Sequence, residues 1–157
     1  MSSTDEKYIR RAIQVALNSR QVHGHAIGAV VVVDDEVVAE GLSVNHNFHA
    51  EQNALHVAFN ALDVDVLEGA TVYSTQEPCS MCFAACLYAN VERVVFGSYA
   101  ADLSETNNYE YKNFALSNFS EDALRFDGGE ISVEGGVLRE ECADLLKDHA
   151  YWTVKEQ

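Results

Sequence analysis

The chain has 157 residues, 48% of them apolar, and a formal net charge of −15 from 10 Lys+Arg against 25 Asp+Glu. That size and composition predict a single globular domain over 1–157, with no run of about 18 apolar residues to cross a membrane and, in Met1-Ser2-Ser3-Thr4-Asp5-Glu6, no signal peptide. A field of this sign repels phosphate backbones and counts against a nucleic-acid partner, although a salt-rich host explains the same acidity and salt would screen the repulsion.

Thr4–Gln21 reads as a helix, with Ser3 and Glu6 as a capping box and Ile9, Ala12, Ile13, Ala16 and Leu17 as its buried stripe. Ala26–Val33 is a β-branched run of the kind buried on both faces of a sheet. Asp34-Asp35-Glu36 turns the chain and Val37–Glu40 returns it as a hairpin. A loop, Gly41–Phe48, leads to a helix over Ala50–Leu62, rich in helix formers and free of Gly and Pro. A strand over Ala70–Ser74, a helix over Cys79–Ala89 and a strand over Val91–Gly97 follow. Tyr99–Asn113 is polar and aromatic and gives no firm element, with a helix expected around Tyr111–Asn118. A short strand at Glu130–Glu134 and a helix over Leu138–His149 complete the chain. Helices alternating with strands after a hairpin predict a layered α/β fold with helices on both faces of a mixed sheet. Ligands of such sheets bind beyond the strand ends, where loops meet helix starts.

Two short blocks lie at such positions. His49-Ala50-Glu51 opens one helix, and Pro78-Cys79-Ser80-Met81-Cys82 opens the next. Pro78 suits a helix entry because its φ is fixed and it has no N–H to leave unpaired. Cys79 and Cys82 are then i and i+3 on one face, at a helix start whose partial positive charge favours thiolate. His49, Cys79 and Cys82 supply three ligands of the type zinc prefers, which is the count of a catalytic site with an open fourth position. Glu51 is then a proton carrier beside that position. Two other readings stay open at this point. Cys79 and Cys82 alone make a redox pair, and Cys86, one turn beyond Cys82, closes a Cys₃His structural zinc site with no room for water. The open site is preferred, and Cys86 and Cys142 are then buried small hydrophobes. Three cysteines within eight positions make no disulfide framework, which implies a reducing cytoplasm.

The H-x-E and P-C-x-x-C blocks match the signature of zinc deaminases of nucleobases. The chain resembles the cytidine deaminase-like superfamily from about residue 5 to 148. It is most similar to the branch with tRNA adenosine deaminases, guanine deaminases and fungal cytosine deaminases. The resemblance is carried by Gly28-Ala29-Val30, Glu40-Gly41, the two metal blocks, Arg93-Val94-Val95-Phe96-Gly97 and Gly136-Val137-Leu138-Arg139-Glu140-Glu141-Cys142. It implies a three-layer α-β-α fold with a mixed five-stranded sheet, frequently in homodimers, one Zn²⁺ on His49, Cys79 and Cys82, and Glu51 as catalytic proton shuttle. It further implies substrate contacts from Ser43, Asn45, Phe48, Ala50 and Glu77. Ser43 stands where relatives commonly carry a base-holding Asn, and Phe48 serves either as a stacking surface or as a core aromatic. The pocket walls are expected from Gly41–Phe48, Tyr73–Glu77, Tyr99–Asn118 and Tyr151-Trp152. With its charge and no basic C-terminal helix, the chain is expected to deaminate a free nucleobase or nucleoside. Guanine or a related aminopurine is preferred and cytosine is next. A tRNA adenosine-to-inosine deaminase and a non-enzymatic structural zinc domain are the alternatives.

Overall fold

The computed structural model describes residues 3–103, 114–115 and 131–147. Five strands form one sheet in the order β2-β1-β3-β4-β5: β1 (Gly28–Val33), β2 (Glu36–Leu42), β3 (Thr71–Gln76), β4 (Arg93–Ser98) and β5 (Ser132–Glu134). β1 runs antiparallel to both β2 and β3, while β3, β4 and β5 are parallel. The mixed five-stranded sheet and its three-layer arrangement are those expected.

The pleat sends alternate residues to opposite faces. Val30, Val32, Tyr73 and Val95 pack with Tyr8, Ile9 and Val15 of α1 (Ser3–His23) and with Cys142 of α4 (Arg139–Asp144). Val31, Val72 and Val94 pack on the other face with Ala50, Ala54, Leu55 and Ala58 of α2 (Ala50–Leu62) and Cys86 and Ala89 at α3 (Ser80–Tyr88). The central strands are therefore buried on both sides, which is why they read as unbroken apolar runs. Cys86 and Cys142 are both fully buried in these clusters, as expected.

Leu17 of the expected buried stripe is 47% exposed, and three further details depart from the expected pattern. Ser3 already lies within α1, so it is not the outside cap that a Ser3–Glu6 box requires. The first turn is held instead by Asp5, which is 2% exposed. It accepts Nη1 and Nη2 of Arg93 at 2.7 Å each and the Tyr73 hydroxyl at 2.8 Å. The helix expected around Tyr111–Asn118 is not seen where the structure describes it. Phe114 sits in a turn, and Ala115 pairs with Cys79 in an isolated antiparallel bridge. The rest of that segment, and Tyr151-Trp152, lie outside the described residues. α4 is shorter than the expected Leu138–His149, because Leu138 takes a left-handed conformation at its start (φ 53°) and residues 145–147 form a turn. Among the described residues no helix is long and apolar enough to cross a membrane.

Candidate active site

The site forms where α2 and α3 begin, at the carboxyl end of β3. Each helix start is pinned by its neighbours. Gly41 of β2 lies flush against α2, where a Cβ would strike the Ala50 carbonyl oxygen and the Ala54 amide. Only glycine permits that approach. Asn53 then ties the incoming loop to α2, its Nδ2 donating to the Leu42 carbonyl at 2.7 Å. His49 is the N-cap of α2 in extended conformation (φ −82°, ψ 162°), and its backbone N–H is accepted by Gln52 Oε1 at 3.1 Å. The Gln52 side chain thus satisfies the backbone N–H of the cap residue.

Cys79 is likewise the extended N-cap of α3 (φ −70°, ψ 171°), and Cys82 follows in its first turn. Pro78 therefore precedes the cap, one place earlier than expected. Its locked φ extends the chain into the cap, and the lost N–H falls outside the helix. The Ser80 amide donates to the Phe114 carbonyl at 2.8 Å, which seats residues 114–115 over this helix start.

The three donors converge. Among the described residues, His49, Cys79 and Cys82 are the group able to hold a metal, their donor atoms lying within 4.8 Å of one another. His49 Nδ1 is 3.5 Å from Cys79 Sγ and 3.4 Å from Cys82 Sγ. Tetrahedral zinc, with Zn–S of about 2.3 Å and Zn–N of about 2.0–2.1 Å, separates such ligands by about 3.6 Å, so the residues fit the ion. His49 Nε2 lies 2.8 Å from the His46 carbonyl oxygen. Donation there puts the proton on Nε2 and leaves Nδ1 bare, as a metal-ligating imidazole needs. The hydrogen bond from Cys82 holds the Cys79 thiol well below its ordinary range, the direction that favours a thiolate ligand. Burial pushes the Cys82 thiol well up, and a cation is what would strip that proton.

Glu51 stands next to this group, 3% exposed on the first turn of α2. Burial raises its pKa above the ordinary carboxylate value, against a smaller opposite pull from His49. Ser74 donates to its Oε1 at 2.7 Å. A carboxyl that holds a proton more readily than usual, beside a metal-ligand cluster, is equipped for proton transfer.

Of the expected substrate contacts, Ala50 is buried at the start of α2 and Glu77 is 8% exposed at the end of β3. Phe48 is 55% exposed, which removes the core-aromatic reading. Asn45 Oδ1 is engaged in its own loop, accepting the Asn47 amide at 2.9 Å and the Phe48 amide at 3.2 Å. Ser43 is fully buried and bound through its backbone to Ser19 Oγ, while its own hydroxyl oxygen has no hydrogen-bond partner. Ser74 and His46 fall within the expected pocket walls Tyr73–Glu77 and Gly41–Phe48, but their contacts to Glu51 and His49, and the Gln52 cap, had no signal in the sequence.

Comparison with known proteins decides the family. Residues 2–98 match the cytidine and deoxycytidylate deaminase zinc-binding region. The chain belongs to that zinc-binding deaminase family. Its reaction class is zinc-dependent hydrolytic deamination. The tRNA-specific adenosine deaminase of Bacillus subtilis (strain 168) is 34% identical over 147 residues, covering 90% of this chain and 86% of that one. A solved tRNA:A34 deaminase of A-to-I editing at the wobble position superposes with a TM-score of 0.72 at 25% identity, over 89% of this chain and 99% of that one. The guanine deaminase from Nitrosomonas europaea shares the fold, with a TM-score of 0.74 at 21% identity over 91% and 82% of the two chains.

Membership settles the reaction class against a non-enzymatic zinc domain, and the geometry agrees. Cys86 is outside the donor group, buried among apolar residues such as Ala54 and Leu55 of the same cluster. Cys86→Ala is expected to carry about one zinc per chain, as the parent does, by metal analysis of the purified protein. Loss of zinc from that variant would put Cys86 in the coordination set.

Proposed function

We propose that this deaminase converts adenosine to inosine in tRNA. The observation that carries the reading is 34% identity over 90% of the chain to a tRNA-specific adenosine deaminase. This reverses the preference drawn from the charge and the absence of a basic C-terminal helix. His49, Cys79 and Cys82 would hold the zinc, which when bound acidifies water to a pKa of about 7. Glu51 takes a proton from the attacking water and delivers it to the amine at C6, so that water enters, the C–N bond breaks and ammonia leaves. His46 keeps the His49 ring in the ligating tautomer through its carbonyl. Phe48, exposed at the loop that leads into α2, offers a face on which the base stacks. Ser43, Ala50 and Glu77 line the same helix and strand ends and are proposed as base contacts. Asn45 shapes the loop that carries Phe48. The same reading includes a homodimer, supported by the exposed apolar residues Met81 and Tyr88 on α3 and Val57 on α2.

A second reading, a free aminopurine such as guanine or else cytosine, is favoured by one observation, the net charge of −15. Few cations are available to neutralise phosphates, and affinity for tRNA rests largely on such contacts. The two readings part in a direct assay. A tRNA transcript with adenosine at the wobble position is compared with guanine, guanosine, adenine, adenosine, cytosine and cytidine, at low and high salt, by ammonia release and inosine analysis. Inosine in the transcript is expected. Ammonia from guanine or cytosine alone, with the transcript untouched, would overturn the tRNA reading in favour of the second.

A further inference from the structure

We propose that Ser74 is the positioning residue of Glu51: its hydroxyl anchors Oε1 and so fixes the orientation of the carboxylate beside the metal-ligand group. This rests on Glu51 acting as the shuttle, and it adds which group orients it.

Ser74 stands out first in its strand. β3 reads Thr71-Val72-Tyr73-Ser74-Thr75-Gln76, and Ser74 is completely buried. Alternation puts it on the face of Val72, which packs toward α2 and α3, and away from the face of Tyr73, which packs toward α1. A β-branched apolar residue is the ordinary occupant of such a position. A buried hydroxyl there is costly unless it is hydrogen-bonded.

Both sides of that hydroxyl are occupied. The Gln76 backbone N–H lies 3.3 Å from Ser74 Oγ, and an amide only donates, so Oγ accepts there. The single hydroxyl hydrogen is then directed at Glu51 Oε1, 2.7 Å away. Oε1 is thereby the acceptor that ties the carboxylate to β3. The anchor comes from β3 while the carboxylate comes from α2, so it also fixes the distance between the two elements that carry the site.

The test compares Ser74→Thr with Ser74→Val, a pair of nearly equal shape differing in the hydroxyl, with Ser74→Ala as a third variant free of any clash. Zinc content, kcat and KM are measured on the tRNA transcript with adenosine at the wobble position, or on whichever amine the parent deaminates. Ser74→Val and Ser74→Ala are expected to keep zinc and KM and to lose kcat by about 10–100-fold, the scale of a lost hydrogen bond to a charged group and a misaligned reacting group. Ser74→Thr is expected to recover most of that loss. Equal kcat in the Thr and Val variants would overturn the proposal, as would a fall that tracks zinc loss. A parent inert toward every amine would instead defeat the deaminase reading. Crystal structures of the parent and Ser74→Val then still decide the anchor. A rotated or disordered Glu51 carboxylate in Ser74→Val supports it, and an unmoved one overturns it.

Discussion

Glu51→Ala is expected to keep about one zinc per chain and to lose deamination by about 10⁴-fold. The carboxyl is not among the three converging donors, so its removal leaves the ligand set whole. A positioned general acid–base group contributes roughly 10²–10⁴-fold, and the proposed role, in which Glu51 both takes a proton and delivers one, puts the expected loss at the upper end. Burial has already raised its pKa, the direction expected of a group that must hold a proton part of the time. Ammonia release and metal analysis on the same preparation check both halves. Retained activity would remove Glu51 from the chemistry, and lost zinc would make it a ligand.

Cys82→Ser is expected to fail in the opposite order, losing the metal first and activity with it. A serine hydroxyl stays protonated where a thiolate is required, and two ligands remain of three. Replacing partners outside the coordination sphere costs about 10–100-fold in metal affinity, and loss of a ligand costs more than that. The effect on folding follows from the same geometry. Cys79 and Cys82 are 4% and 0% exposed, and their sulfurs crowd the His49 ring at 3.5 and 3.4 Å. Zinc bound by the folded state alone would add about 2.7 kcal/mol of stability at 100 times its Kd. A chelator should therefore lower the melting temperature of the parent and leave that of Cys82→Ser unchanged. Full zinc content in Cys82→Ser, by metal analysis, would contradict the assignment.

Local signals in the sequence were read well. α2 spans the expected Ala50–Leu62, since an uninterrupted run of helix formers between a loop and Asp63 leaves the helix no other place to begin or end. Cys79 and Cys82 were legible as a pair because a spacing of three at a helix start imposes a common face, and His49 was legible through the H-x-E block that accompanies such a pair. Contacts between elements were not. Ser74 and Glu51 are 23 residues apart, Tyr73 and Asp5 are 68 apart, and Arg93 and Asp5 are 88 apart. No periodicity in one segment reports which residue of another it will meet. Asp5 looked like an ordinary acidic residue of a first helical turn, and packing turned it into a buried anchor. Asn45 illustrates the reverse. Its type suited base recognition, and the loop geometry used its side-chain oxygen for a turn. Net charge is a coarse guide to substrate, because −15 belongs to the whole chain and not to the few residues around one pocket.

The zinc environment itself tests the account most directly. X-ray absorption at the zinc edge of the purified protein should show two sulfurs at about 2.3 Å, one nitrogen at about 2.0–2.1 Å and one oxygen at about 2.0–2.2 Å, the shell of three protein ligands with an open place for water. Three sulfurs and one nitrogen would mean that Cys86 closes the site, and the proposed chemistry would have nowhere to occur.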